Sequence, residues 1–204
     1  MNIDEWIKQF EREYFEGELS NYQGYLRDHR FPLVAKTLVE VFDLVGKKVL
    51  DVGSAIPYLC DELRKLGVEA YSCDVSNYVY QKAMELGFTW HKKCNAIDLP
   101  YQDQEFHLVL ASELVEHIPP EYEDQLLHEL TRVTQKYLLI RTPYCHHPED
   151  KDKTHINIHP HMYWITRIEE LGFIHDDNLY EKYARIGHEK FNFFYDEFLV
   201  FIRI

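Results

Sequence analysis

Apolar residues recur along this chain with two periods. Ile3, Trp6, Ile7, Phe10 and Tyr14 stand at helical spacing, and the pattern returns from Phe31 to Val45 behind Pro32, so two helices are expected before any strand. Then the period changes. "KKVLDV" reads as a buried strand, 57–66 as a helix stopped by Gly67, "VEAYSC" as a strand and 77–86 as a helix stopped by Gly87. "FTWHKKC" and "FHLVLA" follow as strands, 120–134 as a helix and "KYLLIRT" as a strand. Beyond Pro160 one more helix ends at "EELGF", then a strand is expected near 173–180 and a last one in "NFFYDEFLVFIRI". With no helix predicted between them, those two are expected to pair antiparallel at a sheet edge. The fold class is α/β: a doubly wound, mostly parallel, seven-stranded, Rossmann-like sheet with an antiparallel last strand and helices on both faces. No repeat or linker divides the chain, so 1–204 reads as one domain with 1–45 as an N-terminal helical cap. The longest aperiodic stretch is 143–161, "PYCHHPEDKDKTHINIHPH", and loops of that length are usually functional or mobile.

Composition narrows the partners. The chain of 204 residues is 46% hydrophobic and carries a net charge of −13, which repels a phosphate backbone, so nucleic acid is not expected. The N-terminus lacks the basic start and apolar core of a secretory signal, and no apolar run is long enough to span a bilayer; a cytoplasmic protein with no membrane contact is expected. Four cysteines (Cys60, Cys73, Cys94, Cys145) form no CxxC pair and read as reduced thiols. The aromatic N-terminal helices are candidates for packing on a second copy, as a homodimer.

The turn after the first strand, "DVGSAIPYL", has one glycine where a dinucleotide fingerprint needs three: Gly53 is present, but Ala55 and Tyr58 replace the others. A pyrophosphate is disfavoured there, and no Gly-Lys-Ser/Thr follows for a nucleoside triphosphate. Asp51, at the end of a buried strand, calls for a cation or several donors. S-adenosylmethionine, cationic and free of phosphate, suits such a turn; equally, Asp51 could cap the turn by accepting backbone N–H groups.

Four segments then stand in order: "VLDVGSA", "EAYSCDVS", "NAIDLPYQDQEFHLVLASELVEHIP" and "DKTHINIHPHMYWITRIEELGF". With them the chain resembles, from about Tyr22 to Phe173, the class I S-adenosylmethionine-dependent methyltransferases, particularly the small type 11 and type 23 group. The resemblance implies that Asp74, with Val75 beside it, accepts the ribose hydroxyls, and that Asn95 and the Ala96 N–H hold the adenine. It places Gly53, Ser54 and Ala55 along the methionine portion, with Ser112 and Glu113 facing the same crevice, although Glu113 could equally face solvent. Tyr22 or Tyr25, in an "NYQGY" stretch similar to that of some relatives, could close over the cofactor or simply pack. Three departures stand out: Pro57 for the last glycine of the turn, His107 where relatives often carry Asp, and "TQKY" for the usual glycine pair before the fifth strand.

Methyl transfer is an in-line displacement, so the protein must align a nucleophile and, where needed, take its proton. The 143–161 loop carries His146, His147, His155, His159 and His161, and histidine titrates in the right range; His155 or His146 is the expected base or orienting group. The same histidines could be ordinary polar loop residues, or metal ligands together with Asp150 or Asp152, but their spacing matches no strong zinc pattern and no metal is expected. His117, in "EHIPPE", ranks behind them. The function expected is methyl transfer to an oxygen or nitrogen of a small-molecule acceptor; the alternatives are a cofactor-binding protein without turnover and, less favoured, a metal-dependent enzyme built on the histidine loop.

Overall fold

The computed structural model describes residues 2–17, 19–20, 25–27, 29–145, 152–191 and 198–204. Their helices are α1 (Ile3–Trp6), α2 (Arg12–Glu16), α3 (Arg30–Phe42), α4 (Tyr58–Lys65), α5 (Asn77–Glu85), α6 (Glu123–Val133), α7 (His161–Glu169) and α8 (Asp177–Phe191). The strands are β1 (Lys48–Val52), β2 (Glu69–Asp74), β3 (His91–Lys93), β4 (Phe106–Ser112), β5 (Thr134–Arg141), β6 (Phe173–His175) and β7 (Leu199–Arg203). They form one sheet in the order β3-β2-β1-β4-β5-β7-β6. The first five strands are mutually parallel, and β7 runs antiparallel to both β5 and β6.

The continuous apolar runs of the central strands follow from burial on both faces. Side chains alternate across a strand. Leu50, Val52, Val109 and Ala111 therefore pack with Leu126, Leu130, Trp164 and Ile168 of α6 and α7. Val49, Leu108, Leu110 and Val200 pack instead with Val34 and Leu38 of α3, Leu63 of α4 and Tyr183 and Ile186 of α8. At roughly 1.5–3 kcal/mol for each fully buried large apolar side chain, these two layers dominate the favourable side of folding.

Three expectations change. The strand expected over 173–180 stops at His175, and a fifteen-residue helix, α8, separates the last two strands. Its apolar positions (Leu179, Tyr180, Tyr183, Ile186) are few among charged neighbours, so the helical stripe is narrow and shows only against the sheet face that it covers. The first expected helix is broken: Phe10 leaves helical geometry at φ −83°, ψ 52°, splitting the segment into α1, a 3-10 turn (Ile7–Gln9) and α2. "FTWHKKC" contributes only three strand residues, because the chain turns through Gly87–Trp90 first, with Phe88 N–H donating to Ala83 O.

The expected cap over 1–45 does two different jobs. Helix α3 is an ordinary face helix of the sheet, whereas α1, the turn and α2 reach the carboxyl ends of β1, β2 and β4. Among the described residues, no helix is long and apolar enough to cross a membrane.

Candidate active site

A cavity opens where β1, β2 and β4 end, on the carboxyl side at which doubly wound sheets receive ligands. Its first wall is the turn after β1. Gly53 sits at φ 72°, which favours glycine, and a Cβ there would stand 2.9 Å from Leu114 Cδ1 and push that side-chain end aside. The N–H groups of Gly53 and Ser54 both donate to Cys73 O, at 2.9 and 3.1 Å. Ala55 stands where a second glycine was expected and takes a glycine-like φ of 49°. For an alanine that conformation costs about 1–2 kcal/mol. Two contacts offset it: Ala55 N–H donates to Asp74 Oδ2 at 3.0 Å, and its methyl packs against Tyr14, Phe15 and Val79.

Asp74 organises this end. Its other oxygen accepts from Ser76 N–H at 3.0 Å, while the Ser76 hydroxyl caps α5 by accepting from Val79 N–H at 3.2 Å. Burial raises the Asp74 carboxyl to about 6 despite these backbone donors. Asp51 is raised further, to about 7, by burial and by the charge of Asp74. By alternation along β1 Asp51 shares a side with Val49, and it is not among the residues lining the cavity.

Val75, Cys94, Asn95 and Ala96 continue the wall beyond β2 and β3. Asn95 Oδ1 accepts the Ile97 N–H at 3.3 Å, an Asx turn that uses one lone pair and leaves a second. Opposite lies the segment after β4. Glu113, also at positive φ (52°), has its N–H bonded to Arg141 O at 2.8 Å and its carboxylate 3.2 Å from Arg141 Nη1. It is thus a cavity residue held by an ion pair, not a solvent-facing one. Glu116 and His117 follow in a 3-10 turn (Val115–His117), both buried.

The roof is the N-terminal segment, expected as part of a helical cap and as a surface for a second copy. Trp6, Ile7, Phe10, Tyr14 and Phe15 line the cavity. Trp6 Nε1–H donates to His117 O at 2.8 Å, the Phe10 ring meets the His117 ring edge-on at 5.6 Å, and Tyr14 OH donates to Asp152 Oδ2 at 2.8 Å. Glu11 anchors the segment from above, accepting from Asn77 N–H (2.9 Å) and Tyr78 N–H (2.8 Å) at the N-terminus of α5, where a carboxylate also meets the helix dipole. The i, i+4 spacing of Trp6, Phe10 and Tyr14 was visible in the sequence; that the stripe faces a cavity was not.

The remaining expected residues fall in three groups. Gly53, Ala55, Asp74, Val75, Asn95, Ala96 and Glu113 line the cavity, but Asp51, Ser54 and Ser112 are not among its lining residues; the Ser54 hydroxyl donates to Ala55 O. Tyr25 stacks on Tyr58 with centroids 6.2 Å apart and approaches Phe15 edge-on, so it packs beside the turn rather than over the cavity. Tyr22, His146, His147 and Asp150 lie outside the described residues. Of the other loop histidines, His159 stacks on Tyr163 at 3.9 Å and bonds Asn157, and His161 approaches Thr142 O at 3.2 Å, both away from the cavity. His155 does not line the cavity either, but its ring lies 4.7 Å from that of His117, which does. His107 packs edge-on against Tyr137 within β4, and burial lowers its basicity.

Residues 50–138 match the sequence family described as a methyltransferase domain. Among solved structures the chain is similar to magnesium protoporphyrin IX methyltransferase from Synechocystis PCC 6803 with bound S-adenosylhomocysteine, at 17% identity and a TM-score of 0.61, over 86% of this chain and 82% of that one. It is also similar to an S-adenosylmethionine-dependent methyltransferase from Aquifex aeolicus (19% identity, TM-score 0.54, 86% and 90% covered). A third relative in fold is the (4+2)-cyclase SpnF, with 18% identity, a TM-score of 0.55, and 78% and 68% covered. No curated protein matches the sequence. Strand order, turn and sequence match agree on a methyltransferase-domain match at residues 50–138 within the fold that these S-adenosylmethionine-dependent enzymes share.

Proposed function

We propose that the protein transfers the methyl group of S-adenosylmethionine to an oxygen or nitrogen of a small-molecule acceptor. The observation that supports this best is the polarity of one cavity: an acid-anchored turn at Gly53–Ala55 and Asp74 on one side, and Glu113 with the His117–His155 pair on the other, under an aromatic roof. Asp74 and Val75 take the ribose, Asn95 and Ala96 the adenine, and Gly53, Ser54 and Ala55 run beside the methionine portion. Asp51 acts through the field it adds to Asp74, and Ser112 sets the end of β4 from which Glu113 projects.

The acceptor's lone pair attacks the methyl carbon in line with the leaving sulfur. The carbon–sulfur bond breaks, its electrons stay on sulfur as the neutral thioether, and the acceptor's proton leaves on the His117–His155 side. Phe10, Tyr14 and Phe15 exclude water and fix the approach, which is where positioning gives rate.

The test is calorimetric titration with S-adenosylhomocysteine, followed by methyl-labelled donor offered with polar aromatic and sugar-like hydroxyl and amine compounds. Binding with label transfer is expected. Binding with no transfer to any acceptor would make the protein a cofactor-binding one without turnover, and no binding at all would remove the cofactor assignment as well.

A further inference from the structure

Beyond the cofactor wall, Glu116, His117 and His155 each bring a ligand atom to one place, all within 4.8 Å of one another. Ions of the first transition row hold nitrogen and oxygen donors at about 2.0–2.2 Å, so small side-chain rotations close the set around one ion. The three come from two segments, after β4 and after β5, clamped together by the N–H groups of Ile156 and Asn157, which both donate to Glu116 O at 3.0 Å.

The carboxylate is the second and independent observation. Glu116 is fully buried, and neither of its oxygens makes a well-aligned hydrogen bond among the described residues, its polar neighbours being the Thr142 hydroxyl and the Glu113 carboxyl. An unpartnered buried carboxyl costs several kcal/mol as an anion and about 1–3 kcal/mol even as a neutral acid. Burial, with the charge of Glu113 added, holds its proton well above the ordinary carboxyl range. A dication reverses that preference, because it supplies the missing partner.

His117 is prepared for the same task. The Thr154 hydroxyl has one hydrogen, and it donates this to Asp152 Oδ1 at 2.5 Å. With the hydroxyl hydrogen assigned to Asp152, the 2.7 Å contact between His117 Nδ1 and Thr154 Oγ1 is a donation from Nδ1–H, which in the neutral imidazole leaves the lone pair on Nε2. A ligating histidine whose other nitrogen donates to a fixed oxygen is the usual way in which a metal ligand is oriented. Asp152 is itself held, by Thr154 N–H at 2.9 Å and Tyr14 OH at 2.8 Å. Its Oδ2 also lies 3.9 Å from His155 Nε2, so one buried carboxylate stands beside both histidines and orients His117 through Thr154.

We propose that Glu116, His117 and His155 bind a divalent first-row transition-metal ion at the acceptor end of the cavity, and that this ion takes the acceptor's hydroxyl oxygen as a further ligand. Two imidazoles and one carboxylate favour the range from manganese to zinc over magnesium or calcium. Of the three, His117 lines the cavity, beside Glu113, and it is on that side that the set meets the acceptor space. A hydroxyl bound there loses its proton to water near neutral pH; the resulting oxygen attacks the methyl carbon, sulfur keeps the electrons of the broken bond, and the metal's oxidation state is unchanged. This selects an oxygen acceptor over a nitrogen one. Ion binding stands by itself, whereas the ion's part in catalysis rests on the methyl-transfer reading above.

The test strips the full chain with a chelator and titrates it calorimetrically with manganese, cobalt or zinc chloride, with magnesium chloride as the comparison. One ion per chain is expected, with visible absorption bands from the cobalt form. Glu116→Gln and His155→Ala should abolish binding, and Thr154→Val should weaken it about 10–100-fold by freeing the His117 ring. Titration of each variant with S-adenosylhomocysteine shows that the fold survives. Stripped protein that still binds S-adenosylhomocysteine but takes up no ion stoichiometrically overturns the site, and so does unchanged ion affinity in variants that still fold. Ion binding with chelator-insensitive methyl transfer overturns the ion's catalytic part. Ion binding without any affinity for S-adenosylhomocysteine upholds the site and sinks the methyl-transfer reading instead.

Discussion

The two ends of the cavity differ in how their polar groups are satisfied. At the turn after β1, both oxygens of Asp74 accept backbone N–H groups, and the Gly53 and Ser54 N–H groups are paired to Cys73 O. Behind the opposite wall, Glu116 is buried beside two imidazoles with no well-aligned hydrogen bond among the described residues. A paired buried group holds a shape; an unpaired one stores an interaction for something that arrives later. The first end is therefore a finished cradle, the second the place where we propose that an ion completes the set. The N-terminal roof touches both, through Phe15 and Ala55 on one side and Tyr14 and Asp152 on the other.

The largest effect should come from breaking the finished end at its tightest point. Gly53→Ala adds a methyl 2.9 Å from Leu114 at a φ that alanine adopts only with strain, and should lower stability by about 2–5 kcal/mol in denaturant unfolding. Next, Asp74→Ala leaves the Ala55 and Ser76 N–H groups unpaired and removes the proposed ribose acceptor. It should cost about 2–4 kcal/mol of S-adenosylhomocysteine affinity by calorimetry, roughly 30- to 1,000-fold. An unaltered affinity would mean that the cradle lies elsewhere.

Asp51 sharpens the contrast through pH. Its carboxyl is raised to about 7 in the folded protein from an ordinary value of 3.8, so between about pH 4 and pH 7 the native state holds a proton that the unfolded chain has released. Its contribution therefore falls as pH rises through that window and stays low above it. Asp51→Asn should be the more stable protein at pH 8, by about 1–3 kcal/mol, and the gap should close towards pH 4; thermal unfolding across that range reads it directly. The smallest effect belongs to the roof. Tyr14→Phe removes one buried hydrogen bond to Asp152 while keeping the ring, and should cost about 1 kcal/mol of stability. Because Asp152 also orients His117 through Thr154, the same change should lower turnover more than it lowers cofactor affinity.

Much of the cofactor side was legible in the residues. A lone Gly53 after an apolar run, an acid at the end of the next strand and Asn95 after the third gave the turn and its neighbours. What remained hidden had few apolar signals or none. Helix α8 buries only a narrow stripe, and the break at Phe10 follows from where the roof must pass, not from any proline or glycine at that point. The histidine loop misled for a different reason. Five histidines close in sequence invited a shared role, but His159 and His161 bond to Asn157 and Thr142, and His155 finds its partners in Glu116 and His117, from the connection after β4.

The chain's order of apolar runs and turns was enough to determine a doubly wound sheet and the place of its ligand crevice, because strand burial and helix stops are local and periodic. Which side chains meet across that crevice was decided only by the folded structure. Pairings such as Tyr14 with Asp152, or His117 with His155, join segments far apart in sequence, and no spacing rule acts over such a distance; only the packing of the two sheet faces brings them together.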